Sequence, residues 1–364
     1  MKDSLTKTIC FFNTNKAWGG GEKWHFSTAK EFQRRGYSVY LVTHVRSQLR
    51  TRGTAERLPT YSFNIGNLTF LNPLKVLVLM LFFRAKKIDT IIMNLPADLK
   101  SAGIAAKLAG VKKIIYRRGM PHSLRNTWLN RFLFSQILTD VVINSEEIGR
   151  SLVQGNEDWF PKKKLHLIYN GIDLKNSPDK TKKLIEKKTN EWIIGSAGRL
   201  TPQKGQKYLI ELAEKLKNQG IKFRLLIAGE GELRDELTKL IDTKCLRDEV
   251  ILLGHVSDMQ AFMNSIDLFI FPSLFEGSAN TLIETLYYEK PIIAFDVSSN
   301  PEIIHHKVNG YLARAFDIDD LLQGTLELIG DQQMRESFVK HGTSILMEKF
   351  DNRKIFEQIE TTIK

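Results

Sequence analysis

Two carboxylates eight positions apart, Glu276 and Glu284, stand where an apolar run gives way to small residues. The run Leu268-Phe269-Ile270-Phe271 stops at Pro272, and the segment from Ser273 to Asn280 opens into helical spacing. That pattern predicts a buried strand, a tight loop and the start of a helix. Backbone N–H groups and the positive end of a helix dipole face whatever lies above such a junction, so it suits a diphosphate. Packing there needs neither glutamate. Carboxylates accept hydrogen bonds from paired hydroxyls, so one suits a sugar and the other a ribose; taken singly, both would be solvated. Upstream, Arg199 and Lys204 lie five positions apart across a turn that holds Pro202 and closes at Gly205, just past a predicted strand, Trp192–Ala197. Two cations at the mouth of a sheet would neutralise a diphosphate, and more strongly as it gains charge on leaving. In isolation each would be an ordinary surface charge. Gly198 opens the same loop, and Gly229-Glu230-Gly231 ends the next strand, where glycines let a nucleotide approach the backbone.

The elements that must position these residues alternate along the second half of the chain. Strands near 192–197, 223–228, 250–253, 268–271 and 291–295 alternate with helices near 206–219, 231–243, 258–264 and 279–289. Such alternation predicts a parallel sheet with helices on both faces. In the first half, residues 7–13 read as a buried strand, Gly19-Gly20-Gly21 as a turn, and Phe26, Ala29 and Phe32 as the apolar stripe of a helix that stops at Gly36. The glycine spacing is not Gly-x-Gly-x-x-Gly and no acidic ribose reader follows, which argues against an NAD site. Further strands are expected at 39–43, 90–94, 113–116 and 141–145, with Ser145 as a helix cap. Arg118 and His122 fall just past the fourth of these five strands, where open α/β sheets place ligand groups. Residues 175–190, rich in lysine and poor in aromatics, read as an exposed interdomain linker.

Length and charge set the frame. A chain of 364 residues is comfortable for two domains, each able to bury its own core. Cys10 and Cys245 have no metal-ligand spacing, so a reducing compartment without disulfides is expected. The first residues lack the apolar core of a signal peptide, which predicts a cytoplasmic protein. Net charge is +12 and unevenly spread: residues 1–175 hold 28 Lys+Arg against 12 Asp+Glu, and the remainder 25 against 29. The first domain is therefore expected to meet an anionic partner and the second something smaller. Two apolar helices, 74–87 and 124–138, have basic neighbours. The first is apolar from Val76 to Phe83, short of the roughly 20 residues of a membrane span. Burial against the sheet and contact with a bilayer surface are both open to these helices, and the nearly all-round apolar character of the first favours burial.

Trp18-Gly19-Gly20-Gly21-Glu22, Gly198-Arg199-Leu200-Thr201-Pro202-Gln203-Lys204-Gly205, Ala228-Gly229-Glu230-Gly231 and the stretch from Phe271 to Glu284, in this order, resemble the retaining nucleotide-sugar glycosyltransferases of the two-Rossmann-domain (GT-B) class, in particular glycosyltransferase family 4, the glycosyl transferases group 1. The resemblance implies an α/β fold of two Rossmann-like domains with parallel sheets facing across a cleft. On that pattern residues 1–175 bind the acceptor, 176–190 link, 191–345 bind the nucleotide sugar, and 346–364 form a helix crossing back to the first domain. It further implies transfer from a nucleoside diphosphate sugar to an acceptor hydroxyl with retention. Glu276 would hold donor-sugar hydroxyls and Glu284 the ribose. Arg199, Lys204 and the Gly277, Ser278, Asn280 and Thr281 segment would stabilise the departing diphosphate. Gly20 and Gly21 would face the donor phosphates across the cleft, and Arg118 or His122 would contact sugar or acceptor in place of the family's usual histidine. Asn280-Thr281 replaces the commoner apolar-proline pair, which leaves the sugar open. No cofactor and no essential metal are expected, since two cations supply the neutralising charge. Partners implied are a glycan or glycolipid acceptor, such as lipopolysaccharide core or a lipid-linked polysaccharide, and peripheral contact with anionic inner-leaflet lipid, but no nucleic acid. The alternatives are a nucleotide-sugar epimerase on the same architecture and a non-catalytic nucleic-acid-binding protein.

Overall fold

A computed structural model of the chain describes residues 7–175 and 177–364. They fall into two compact units, one comprising the residues up to Ile168 together with Phe356–Lys364, the other Tyr169–Ile355.

The first unit holds seven strands: β1 (Thr8–Asn13), β2 (Ser38–Thr43), β3 (Thr60–Ser62), β4 (Thr90–Met93), β5 (Lys113–Arg118), β6 (Asp140–Ile143) and β7 (Leu165–Leu167). All pair in parallel in the order β3-β2-β1-β4-β5-β6-β7. The chain runs outward in one direction from β1 and then in the other from β4, so the boundary between β1 and β4 is the topological switch point. These strands read as near-continuous apolar runs because parallel sheets are covered on both faces. Phe12, Ile91, Ile114, Tyr116 and Val141 pack on one face against Leu79, Phe83, Ala105, Phe134 and Leu152 of the covering helices. The Ser145 hydroxyl accepts from the Ile148 N–H at 3.2 Å and starts the helix Glu146–Val153. The C-terminal residues of the chain are tied into this unit: Glu360 accepts from Arg35 and from the Tyr37 hydroxyl at 2.8 and 2.9 Å, and Lys7 donates to the carbonyl of Ile363 at 3.2 Å.

The second unit holds β8 (Trp192–Ala197), β9 (Phe223–Ala228), β10 (Val250–Gly254), β11 (Leu268–Phe271), β12 (Ile292–Phe295) and β13 (Tyr311–Ala313). They too are all parallel, in the order β10-β9-β8-β11-β12-β13. Its switch point is therefore the boundary between β8 and β11. Separate apolar clusters, one around Leu209, Leu225 and Phe295 and one around Phe262, Phe269 and Leu282, cover the two faces.

Three expectations change. Residues 169–175 go with the second unit, because the Asn170 amide donates to Ser278 and Asn280 and the Ile172 N–H donates to the Phe350 carbonyl. The segment expected to be a free linker is exposed but laid along that unit: Leu184 N–H donates to Ser265 Oγ at 2.7 Å, Lys187 pairs with Asp267 and Lys180 with Glu289. The helix expected over 124–138 starts only at Trp128, where the Thr127 hydroxyl caps it, and its second half, Leu133–Ile137, is wound as a π turn.

Candidate active site

The loop after β8 and the loop after β11 are stitched together at the switch point of the second sheet. Pro202–Lys204 form one 3-10 turn, and Gly205 follows at φ +65°. A Cβ at Gly205 would stand 2.1 Å from the Pro272 carbonyl oxygen, so no other residue lets the two loops approach this closely. The Leu274 N–H donates to the Gln203 carbonyl and the Gln203 side-chain amide to the Phe275 carbonyl, both at 2.8 Å. This register brings Lys204 and Glu276 together from positions 72 residues apart, with Nζ 2.5 Å from Oε1. Their side chains are 16% and 8% exposed. Below the pair, the Lys204 ammonium lies 5.5 Å from the centroid of Phe271, and Ser298 Oγ donates to the Glu276 carbonyl at 2.7 Å, fixing the glutamate backbone.

Around this pair, Gly198 continues the ladder by donating to the Ala228 carbonyl. Gly229 holds φ +145°, and a Cβ there would stand 1.9 Å from the Gly198 carbonyl oxygen, so the ends of β8 and β9 also meet through glycine. The Arg199 guanidinium is exposed and has no hydrogen bond or ion pair among the described residues, which leaves it available to an anion. Glu230 is exposed and pairs with Arg234 at 3.2 Å, a setting in which its carboxylate is already engaged. Gly277 is buried, and Ser278 and Asn280 bond to each other and to Asn170, which orders the approach to the helix Asn280–Tyr287. Thr281 and Glu284 sit half-buried on that helix. A cation expected on phosphate, Lys204, and a carboxylate expected on sugar, Glu276, are thus bonded to each other.

In the first unit a second polar cluster sits at the switch point of the sheet. Gly20 and Gly21 are the opening residues of the helix Gly20–Arg34, directly after β1. Glu22 beside them is buried and accepts from Asn13 and Asn15 at 3.1 and 3.0 Å. Asp98, fully buried in the turn after β4, accepts from the Thr14 N–H at 3.1 Å and meets its hydroxyl. Arg117 near the end of β5 is buried over the Trp24 ring at 4.5 Å and donates to Asn94 at 3.2 Å. Burial lowers its pKa to about 10 against the pull of Glu22, so it stays charged. Burial first, then Arg117, depresses the His25 imidazole to about 3, so this ring is neutral. Arg118, one residue on, points to the opposite face of the sheet, and its Nη2 donates to the His122 carbonyl at 2.5 Å. His122 itself is exposed. Sequence reasoning passed over Arg117, Glu22 and Asp98 as site residues. The period-2 alternation of a strand carried to residue 118 would have separated the two arginines, and an acid among small residues after a buried strand marks Asp98.

Burial pushes the Asp98 carboxyl up to about 7 from 3.8, with the Glu22 charge adding to the rise and the Thr14 hydrogen bonds opposing it. The unfolded chain gives up this proton first, so between about pH 4 and about pH 7 the folded state binds more protons than the unfolded one. The contribution of Asp98 to stability is whole below about pH 4 and declines as pH rises through about 7. Asp98→Asn is expected to remove that decline. Urea unfolding of both proteins across the window checks it, and parallel curves for the two would contradict a protonated Asp98.

Two Rossmann-like units in one chain, each with polar side chains gathered at its switch point, define the GT-B class of fold. The Anabaena protein Alr3699/HepE, solved in complex with UDP, has that fold and matches with a TM-score of 0.85 at 22% identity over 98% of this chain and 99% of its own. The family follows from the sequence: residues 18–176 match Glycosyltransferase Family 4 and residues 178–344 match Glycosyl transferases group 1, and the chain belongs to this glycosyltransferase family. It is 32% identical over 234 residues to the N-acetylgalactosamine-N,N'-diacetylbacillosaminyl-diphospho-undecaprenol 4-alpha-N-acetylgalactosaminyltransferase of Campylobacter jejuni, covering 63% of this chain and 62% of that one. It is 28% identical over 202 residues to the poly(ribitol-phosphate) alpha-N-acetylglucosaminyltransferase of Staphylococcus aureus, covering 55% and 39%. The matches thus span less than two thirds of either relative.

Proposed function

We propose that this protein transfers a sugar from a nucleoside diphosphate sugar to a hydroxyl of a bacterial surface glycan acceptor carried on lipid, with retention at the anomeric carbon. The observation that carries the reading is the buried Lys204–Glu276 pair at the carboxyl ends of β8 and β11. In a nucleotide sugar the anomeric carbon and the β-phosphorus share one oxygen, so groups reading the sugar hydroxyls and the phosphate must be neighbours. The pair meets that requirement. Lys204 and the exposed Arg199 take the diphosphate oxygens, and the positive end of the helix Asn280–Tyr287 adds to the attraction. Glu276 accepts from the sugar hydroxyls and holds Lys204 in place, and Glu284 takes the ribose. Negative charge grows on the diphosphate as the glycosidic bond breaks, and the two cations bind that state more strongly than the ground state.

The C. jejuni relative acts on a diphospho-undecaprenol acceptor and HepE binds UDP; these support a UDP-sugar donor and a lipid-linked acceptor here. The basic first unit, with a buried Arg117 in its polar cluster, is assigned the acceptor. Because side-chain cations neutralise the leaving group, chelation with EDTA is expected to leave the rate unchanged. The test is turnover of a panel of UDP- and GDP-sugars with a bacterial lipid-linked glycan fraction, with the product anomer read by NMR. One donor with an α-linkage giving an α-product, unaffected by EDTA, is the expected result. An inverted product overturns retention, and an EDTA-abolished rate overturns the metal-free leaving group.

A further inference from the structure

The helix Pro73–Ala85 is apolar on two opposite faces, and only one of them is covered. Asn72 accepts from the Lys75 N–H at 3.1 Å and Pro73 takes the first helical position, so the start of the helix is fixed. Val76, Leu79 and Phe83 face the core of the first unit. Leu74, Leu77, Val78 and Leu81 repeat at the same helical spacing on the other side and are 71%, 44%, 53% and 52% exposed. The expected burial of this helix therefore holds for one face alone. The turn leading into it adds Leu68 and Leu71, 72% and 66% exposed. On the neighbouring helix Leu108 is also exposed, and its carbonyl accepts from Arg84 at 3.0 Å, which links it to the end of the same surface. Burying one such patch in a second protein would be ordinary. The surrounding charge decides otherwise.

Between Arg57 and Thr139 the chain carries 13 Lys and Arg and only two carboxylates, Asp89 and Asp98, the second wholly buried. Lys75, Arg84 and Lys87 are exposed on the helix or just beyond it, and Lys107 and Lys112 follow on the neighbouring segment. A second copy of this chain docked through the same face would bring these cations together, whereas an anionic bilayer complements them. The helix has 13 residues, and among the described residues no helix is long and apolar enough to cross a membrane, so its geometry is that of an element lying in the interface. We propose that Leu68, Leu71, Leu74, Leu77, Val78 and Leu81 form a bilayer-docking surface that seats the first unit on anionic lipid. This deepens the lipid-linked acceptor reading above by naming the surface that reaches the acceptor. The surface and the nucleotide site lie in different units, so failure of the one reading leaves the other standing.

The test is sedimentation of the full chain with vesicles of phosphatidylcholine alone and of phosphatidylcholine with phosphatidylglycerol. Three proteins are compared: wild type, the combined Leu74→Ser, Leu77→Ser, Val78→Ser and Leu81→Ser variant, and Lys75→Glu with Lys87→Glu. UDP binding by calorimetry reports the state of the second unit in each, and circular dichroism the fold. Wild type is expected to bind the anionic vesicles and not the neutral ones, and each variant to lose at least about tenfold in partitioning with UDP binding unchanged. The charge variant alters only exposed residues and carries the test by itself if the serine variant does not fold. Wild-type indifference to phosphatidylglycerol overturns the proposal, as does full binding by the variants. A wild-type dimer that the serine variant dissolves, without vesicle binding, overturns it in favour of a second copy.

Discussion

Lys204→Ala is expected to cut kcat/KM by roughly a hundredfold to a thousandfold, the scale of losing one fixed group that stabilises charge in a transition state. Its effect on stability separates two roles of the same side chain. Truncation leaves the Glu276 carboxylate, 8% exposed, without the ammonium it bonds at 2.5 Å. A fully buried carboxylate stripped of its partner loses roughly 3–5 kcal/mol; with Lys204 itself 16% exposed, a loss nearer about 2–3 kcal/mol is expected. Glu276→Gln removes the charge but keeps an oxygen facing Lys204, so the fold should hold while transfer falls, because a neutral amide accepts more weakly from sugar hydroxyls. Measured kcat/KM and urea unfolding for the two variants check this. Loss of stability without loss of rate in Lys204→Ala would reduce the pair to a structural ion pair.

Gly205→Ala should cost far more stability than a methyl added at an uncrowded left-handed glycine of the same unit. The position combines φ +65° with a carbonyl oxygen 2.1 Å from the new carbon. Gly220 supplies the comparison, since its φ is +73° and no atom lies within 4 Å of a Cβ built there. The left-handed conformation alone costs about 1–2 kcal/mol for an alanine, so Gly220→Ala should lose about that much. Gly205→Ala must also push apart the loops that join β8 and β11, and should lose more than about 4 kcal/mol. It should abolish nucleotide binding as well, which Gly220→Ala should leave intact. Equal losses at the two sites would mean that the loop contact at Pro272 is not tight.

The two lobes and most of their strands were legible because parallel strands covered on both faces leave unbroken apolar runs such as Ile193–Ile194 and Phe269–Phe271. The glycine and cation motifs placed Arg199, Lys204 and Glu276 at strand ends for the same reason. Their mutual contact was not legible: it depends on β8 lying beside β11, a pairing between segments more than 70 residues apart that no local spacing encodes. Arg117 was passed over for Arg118 because the strand was taken to end at Tyr116, and without the two further residues of β5 the alternation of faces could not be applied. The helix Pro73–Ala85 defeated the pattern differently, since an all-round apolar sequence is compatible with burial and with an uncovered outer face alike. The boundary near residue 169 rests on the Asn170 amide bonded to Ser278 and Asn280 and on the Ile172 N–H bonded to the Phe350 carbonyl, and a lysine-rich composition says nothing about such tethers.

The most direct test of the account is calorimetric titration of UDP into wild type, Lys204→Ala, Arg199→Ala and Arg118→Ala. A nucleotide diphosphate held at the β8–β11 switch point predicts a loss of at least about tenfold in affinity for each of the first two variants, with Arg118→Ala binding as wild type. Unchanged UDP affinity in both Lys204→Ala and Arg199→Ala would place the diphosphate elsewhere and contradict the account.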